Sequence, residues 1–384
     1  MKVPIYLDNN ATTCVDPRAL AELLPFFGAQ FGNPSSKTHP FGWAADQAVT
    51  RAREQIAQAI GAQPAEIIFT GGATEANNLA ILGGVAAARR PGRHVITSTV
   101  EHKAVLDPCR VLAKRGYDVT FLVPDEYGRV TADAVAAALR EDTILISLMA
   151  ANNEVGTLNP LAEIRRVARA NQVLFHTDAA QAMGKVPVDV RELGVDLLAT
   201  SAHKFYGPKG VGFLYLRTLD PPLRPEPLQF GGGQERGLRP GTLNVPLIVG
   251  MGRAAELASG AVLEDEMARL RSLADRLYDG ICARVDGVSR NGHPDRRLPG
   301  TVNVSFVDVE SEALLLALPD VALSSGSACS TGQVEPSHVL VGMGLPAARA
   351  RSAVRFSVGR FNTEDEIDYT IERVARTVQQ LRAR

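Results

Sequence analysis

The sequence is short of several things, and each shortage narrows what the chain can be. It holds four cysteines in 384 residues (Cys14, Cys109, Cys282 and Cys329), far apart and with no CxxC pair. That spacing argues against a disulfide framework or a resident metal site built from paired thiols, and it fits a reducing cytoplasm. Neither sign of charge is in excess: 41 Lys and Arg face 42 Asp and Glu, for a net charge of -1. No basic run of the kind that grips nucleic acid is present, so no nucleic-acid partner is expected. Apolar runs are short as well. Residues 144–151 form a strand-sized stretch, well under the roughly eighteen residues that mark a membrane helix. The opening segment MKVPIYLDNNATT lacks the apolar centre of a signal peptide. What remains is the expectation of a soluble protein, long enough for two domains that share a cleft.

What is there is organised. Short β-branched runs at residues 66–70, 94–99, 119–123, 143–149, 173–177, 195–200 and 212–216 alternate with Ala/Arg/Leu helical patterns. Apolar strands separated by helices predict an α/β fold with a mostly parallel, seven-stranded sheet covered on both faces. Residues 220–241, rich in Pro, Gly and Arg, read as an irregular connection. One long helical stretch follows over residues 245–285, then strand-like VNVSF and AVRFSV and an amphipathic helix from Thr363. These predict a smaller C-terminal α/β domain of residues 259–384 with 1–14, beside a large domain of residues 15–258.

In such sheets ligands sit beyond the carboxyl ends of the strands. Gly71-Gly72-Ala73-Thr74-Glu75 follows the first strand of the set and opens a helix, where free amides and the helix dipole favour a phosphate. Glu101-His102-Lys103, Asn152-Asn153-Glu154, Asp178 with Gln181, and Ser201-Ala202-His203-Lys204 stand at four further strand ends. Singly, each reads as a capped turn or a structural polar group. Together they bring a phosphate cradle, an imidazole, an amide, a carboxylate and a lysine to one sheet edge.

Pyridoxal 5'-phosphate chemistry uses this set. A lysine forms the Schiff base, and an acid pairs with the pyridinium nitrogen. Asp178 and Lys204 lie on consecutive strands, so both can face one ring. Lys209 is a rival to Lys204, but it sits in the turn Gly207-Pro208-Lys209-Gly210, where side chains face water. Nucleotide motifs do not compete. Gly32-Asn33-Pro34-Ser35-Ser36-Lys37-Thr38 has Ser36 where a P-loop needs glycine, and Gly210-Val211-Gly212 opens a strand rather than a helix.

Two residues stand apart. Cys329 lies in Ser324-Ser325-Gly326-Ser327-Ala328-Cys329-Ser330-Thr331-Gly332-Gln333, a run of small and polar side chains with nothing to anchor it by packing. Ten residues reach at most about 33–36 Å when extended, and about half that when folded back. A thiol there reads as reactive and transferable. Cys109 and Cys282, in helical patterns, read as buried small hydrophobes, while Cys14 near a turn is unassigned. Arg355, inside the strand-like run Ala353-Val354-Arg355-Phe356-Ser357, suits either a substrate carboxylate or a structural ion pair.

These segments resemble the cysteine desulfurases of the NifS/IscS class. The matching runs are Leu7-Asp8-Asn9-Asn10-Ala11-Thr12-Thr13, Gly32-Asn33-Pro34-Ser35-Ser36, Gly72-Ala73-Thr74-Glu75, Glu101-His102, Asn152-Asn153-Glu154-Val155-Gly156 and Asp178-Ala179-Ala180-Gln181. Further ones are Ser201-Ala202-His203-Lys204, residues 231–241, residues 324–329, Glu335-Pro336-Ser337-His338 and Arg355-Phe356-Ser357. The resemblance spans essentially the whole chain. It implies a fold-type-I, pyridoxal-phosphate-dependent transferase of the class-V aminotransferase family, acting as a homodimer. It further implies conversion of L-cysteine to L-alanine with the sulfur left on Cys329 as a persulfide.

By position, the resemblance makes Cys329, Lys204 and His102 catalytic, with His102 stacked on the cofactor ring. Asp178 would meet the ring nitrogen and Gln181 the ring oxygen. Ala73, Thr74, Ser201 and His203 would hold the phosphate, joined by Thr242 from the partner subunit. Asn153 and Arg355 would bind the substrate carboxylate, with Asn153 also beside the cofactor. The long cysteine segment implies delivery to an iron–sulfur scaffold or another sulfur acceptor, where Cys329 could serve as a transient iron–sulfur ligand. The chain ends soon after its last helix, where some members carry a longer tail that docks a scaffold. Ala202 stands where glycine is common. A selenocysteine lyase or an aminotransferase on the same scaffold is the alternative reading, and a non-catalytic sulfur carrier is a third.

Overall fold

The computed structural model describes residues 3–88, 90–220, 222–325 and 336–383. Strand β1 (Ile5–Tyr6) comes first in the chain. Strands β2 (Ile67–Thr70), β3 (His94–Ser98), β4 (Asp118–Leu122), β5 (Thr143–Ser147), β6 (Leu174–Asp178), β7 (Leu197–Ser201) and β8 (Gly212–Leu216) then form one seven-stranded sheet, in the order β2-β8-β7-β6-β5-β3-β4. All seven predicted strands are present, with ends displaced by no more than a residue or two. Strands β3 to β7 pair in parallel, and β8 runs antiparallel to both β2 and β7. Every residue of β5 and β7 is buried. This is why their sequences are continuous apolar runs without alternation: helices cover both faces.

The displaced ends matter for the site. Asp178 and Ser201 are the last residues of β6 and β7, not the first residues beyond them. Their backbone is therefore held in the ladder while the side chains meet the cavity at the strand mouth.

The C-terminal part adds β9 (Val288–Asn291), β10 (Thr301–Phe306), β11 (Val321–Ala322), β12 (Ser324–Ser325) and β13 (Ala353–Ser357). Four of these make an antiparallel sheet, β12-β13-β10-β9, while β11 pairs in parallel with β1. The helix Glu364–Arg382 packs on this unit. Thr363 and Glu366 close a reciprocal capping box at its start. Ile367, Ile371, Val374 and Val378 form its buried stripe, in one apolar cluster with Leu273, Leu277, Val302, Val304 and Phe356.

One expectation is corrected. The single helical stretch over residues 245–285 is two helices, Val245–Glu256 and Gly260–Cys282, bent by 74° at the break. Ser259 is extended and Gly260 has φ +60°, a left-handed backbone that ends helical propagation at no steric cost to glycine. No single helix among the described residues is long and apolar enough to cross a membrane.

Candidate active site

A cavity of about 890 Å³ opens at the carboxyl ends of β2, β5, β6 and β7. Its lining includes Ala73, Thr74, His102, Asn153, Asp178, Gln181, Ser201, His203, Lys204 and Arg355. The expected positions thus converge, with two exceptions. Thr242 is exposed and is not part of this lining. Cys329 lies outside the described residues.

The end of the cavity at Gly72 is built from close backbone approach. Gly72 caps the helix Ala73–Asn78 with φ +149°, a conformation open only to glycine. Gly212 at the start of β8 passes so near that a Cβ there would lie 2.3 Å from the Thr200 carbonyl oxygen and 2.8 Å from Gly72 Cα. The Gly210-Val211-Gly212 run therefore serves packing, consistent with its rejection as a nucleotide fingerprint. The first helical amides have no carbonyl to meet within the helix, and the Ser201 hydroxyl stands 3.5 Å from where a Gly72 Cβ would be. His203 shares a 3.1 Å hydrogen bond with the Thr12 hydroxyl through Nδ1. Burial, reinforced by the charges of Lys204, Lys209 and Lys185, pushes its pKa down to about 4, so the ring is neutral at physiological pH.

Deeper in, Asp178 is fixed on both oxygens. Oδ2 accepts from Asn77 Nδ2 at 2.8 Å, and Oδ1 accepts from the Ala180 amide at 2.9 Å. Lys204 Nζ donates to the carbonyl oxygens of Asn10 (2.7 Å) and Ala11 (2.9 Å). Burial, and after it the Arg355 charge, brings the Lys204 pKa down to about 8. The rival Lys209 also lines the cavity but is exposed on its turn.

His102 caps the helix Lys103–Lys114, its Nδ1 accepting from the Ala104 amide at 3.1 Å. The neutral ring therefore carries its proton on Nε2. Burial lowers its pKa, with Asp178 opposing. Behind it, Glu101 is wholly buried and accepts from the Met149 amide and the Ser98 hydroxyl. Burial pushes its pKa up to about 8.

The two amides at the β5 mouth divide their work. Asn152 is structural: its side chain donates to the Val100 carbonyl and accepts from the Glu154 and Val155 amides. Asn153 faces the cavity, and its carbonyl accepts from Arg355 Nη1 at 2.8 Å. Arg355 also pairs with Asp8 at 2.6 Å, so both of the roles open to it from sequence are compatible with its position.

The stems of the cysteine segment are anchored close by. Ser324 pairs with Arg355 across β12 and β13. On the far side, Ser337 donates to the buried Glu154 carboxylate, and His338 Nε2 hydrogen-bonds the Glu101 carbonyl at 3.0 Å. Of the other cysteines, Cys109 is buried, with its pKa pushed up to about 12 by burial. Cys282 is half-buried and Cys14 exposed.

Asp8, Asn10, Asn77 and Lys185 contribute to this centre without having been singled out from sequence. Asn10 touches the most partners: its backbone amide donates to Ser357 Oγ, its side chain donates to Thr301 Oγ1, and its carbonyl accepts from Gln181 and Lys204. Asp8 and Asn10 lie within the quoted Leu7 to Thr13 run, but nothing local shows that this run reaches the strand ends.

Known proteins match this architecture along its length. Residues 5–370 match the family described as aminotransferase class-V. The chain belongs to the class-V aminotransferase family, in its NifS/IscS class. Among curated members, cysteine desulfurase IscS of Anaeromyxobacter dehalogenans (strain 2CP-C) is 51% identical over 382 residues, covering 100% of this chain and 94% of the relative. A solved structure titled as a NifS-like protein superposes with a TM-score of 0.90 at 38% identity, covering 98% of this chain and 99% of that one. Another, titled SspA in complex with cysteine, gives a TM-score of 0.81 at 39% identity, covering 94% of this chain and 100% of that one. This class-V member therefore has the fold-type-I architecture expected from its sequence.

Proposed function

We propose that this chain is a cysteine desulfurase that binds pyridoxal 5'-phosphate in the 890 Å³ cavity and moves sulfur from L-cysteine to Cys329, releasing L-alanine. The observation that carries the reading is the convergence of Lys204, Asp178 and the Gly72-capped helix start on one cavity that Arg355 also lines.

The residues present fit the cofactor. The free amides at Ala73 and Thr74, the Ser201 hydroxyl and the neutral His203 ring offer donors to a phosphate. Asp178, held rigid by Asn77 and Ala180, offers a carboxylate to a protonated ring nitrogen. Lys204, with a pKa near 8, offers an amine for the aldehyde. Once bound, pyridoxal phosphate supplies an electron sink for bonds of the attached amino acid.

The chain's own groups do the rest. Arg355 and Asn153 hold the substrate carboxylate, and His102, with its Nε2 proton, faces the cavity to receive or return a proton. The Cys329 thiolate attacks the substrate sulfur. The S–S bond forms as the Cβ–S bond breaks, the broken pair goes to Cβ, and a proton there completes the methyl group of alanine. Sulfur leaves as a persulfide, so atoms and electrons balance with no outside oxidant. Both stems of the Cys329 segment attach beside Arg355 and His102, which supports the thiol's access to the site.

A homodimer is part of the proposal. Thr242 is exposed outside its own cavity, which leaves it available to a second copy. Phe31 and Phe41, 70% and 54% exposed with ring centroids 5.4 Å apart, are apolar surface suited to burial in an interface. The two-domain division at residue 259 is supported by the bend there. An iron–sulfur scaffold or another acceptor thiol would take the sulfur onward.

The test is an assay of alanine and sulfide release from L-cysteine by wild type and Cys329→Ala, with the absorbance of the bound cofactor recorded in both. The proposal requires an unchanged cofactor band and loss of desulfuration in the variant. Undiminished release by Cys329→Ala would point instead to a lyase or aminotransferase mechanism that needs no enzyme thiol.

A further inference from the structure

Lys185 is a half-buried lysine that does not itself line the cavity described above. It lies one helical turn's spacing from Gln181 in sequence, and its Nζ donates to Gln181 Oε1 at 2.7 Å and to Asn10 Oδ1 at 2.9 Å. Burial, and after it the nearby Lys204 and Arg355 charges, lowers its pKa well below the usual lysine range. Two of its N–H donors meet amide oxygens.

Those two contacts settle an ambiguity that amides usually leave open. Gln181 Nε2 donates to the Asn10 carbonyl at 2.9 Å. If the Gln181 amide turned over, its oxygen would face that carbonyl, a repulsive contact, and the bond that Lys185 donates to Oε1 would be lost. One orientation survives. In it, one Nε2 hydrogen serves Asn10 and the second remains for the cavity that Gln181 lines. The same amine holds the Asn10 side chain, whose Nδ2 donates to Thr301 Oγ1, and the Asn10 carbonyl accepts from Lys204. A single amine thus braces two walls of the site.

We propose that Lys185 is a positioning residue that locks the Gln181 amide so that its spare N–H meets an acceptor oxygen on the bound cofactor ring. This rests on the reading that the cavity binds pyridoxal phosphate. Lys185 does not touch the reacting atoms; it acts through Gln181. Methionine in its place would keep the volume and remove both donors, leaving two buried amide oxygens unpaired and Gln181 free to turn.

The test measures pyridoxal phosphate affinity of the apoprotein by equilibrium dialysis, together with the pH titration of the visible band of the holoprotein. Lys185→Met should bind the cofactor about tenfold more weakly, the size expected for one misdirected buried hydrogen bond, and should shift the band's titration midpoint. In a Gln181→Ala background the same substitution should add much less than in wild type, since only the Asn10 contact is left to lose, whereas a merely structural lysine would add its full effect. Lys185→Gln keeps an NH2 donor on a shorter arm; it serves if the methionine variant does not fold, and should recover part of the loss. Wild-type affinity and band in a folded Lys185 variant, or additive effects with Gln181→Ala, would overturn the inference alone. Wild-type protein that takes up no pyridoxal phosphate would overturn the cofactor reading and the inference with it.

Discussion

Arg355 and Asp8, near opposite ends of the chain, form a 2.6 Å ion pair on the cavity wall, with the arginine side chain 7% exposed. A buried guanidinium needs a carboxylate, and here the protein supplies one of its own before any substrate arrives. Arg355 Nη1 and Nη2 each spend one hydrogen, on the Asn153 carbonyl and on Asp8, and each keeps a second for a substrate carboxylate. Replacing Arg355 by alanine should raise KM for cysteine by about ten- to a hundredfold, from a charge-assisted hydrogen bond of ~1.5–3 kcal/mol. Steady-state kinetics should show a smaller change in kcat, because the contact grips the ground state as well as the transition state.

Lys204 gives a pH prediction with a definite sign. Its folded pKa of about 8 lies below the ordinary 10.5, because burial and the Arg355 charge disfavour the ammonium. The unfolded chain therefore holds the extra proton between those values, and the apoprotein gains stability as pH rises from about 8 toward 10.5. The amine fraction rises over the same side of neutrality. The rate at which apoprotein captures pyridoxal phosphate should climb with a midpoint near pH 8. In Arg355→Gln, which removes a neighbouring positive charge, the midpoint should move up.

Glu101 predicts the opposite trend. Burial pushes its folded pKa up to about 8 from 4.5, so the folded state holds the proton through that interval while the unfolded state releases it. Its contribution is complete below pH 4.5 and is lost as pH climbs through 8, with a slope approaching one proton, ~1.4 kcal/mol per pH unit. Glu101→Gln is neutral at every pH and keeps an oxygen for the Met149 amide. Denaturant titrations across pH 5–8 should therefore be flatter by about that slope in the variant than in wild type.

The close passage of Gly212 beside Gly72 predicts a costly alanine. A Cβ at Gly212 would strike backbone on both sides, Thr200 O and Gly72 Cα, and neither can swing away as a side chain could. Gly212→Ala should destabilise the protein by ~1–3 kcal/mol. Because the strain lands on the Gly72 cap, cofactor affinity should fall as well. Thermal melts and dialysis against pyridoxal phosphate would measure the two effects separately.

Much of this centre was legible in the sequence because its residues stand at strand ends, and strands announce themselves by apolar runs. Asp178, Lys204 and His102 could be placed by that rule alone. Asp8, Asn10 and Lys185 could not. Asn10 meets Lys204 across 194 positions of sequence, and Lys185 looks like any lysine near a turn until the fold closes over it. The bend between Glu256 and Gly260 was hidden for a different reason: the apolar pattern continues through it, and the left-handed Gly260 shows only in the backbone. Arg355, inside an apolar strand, reads as needing a partner, but that partner, Asp8, lies near the other end of the chain.

Incubating holoprotein with L-cysteine and weighing the peptide that contains Cys329 tests the central claim most directly. A gain of one sulfur atom on Cys329, matched by alanine in solution and absent in Lys204→Ala, is the result predicted. Alanine formed in quantity by wild type while Cys329 gains no sulfur at any time point would contradict it.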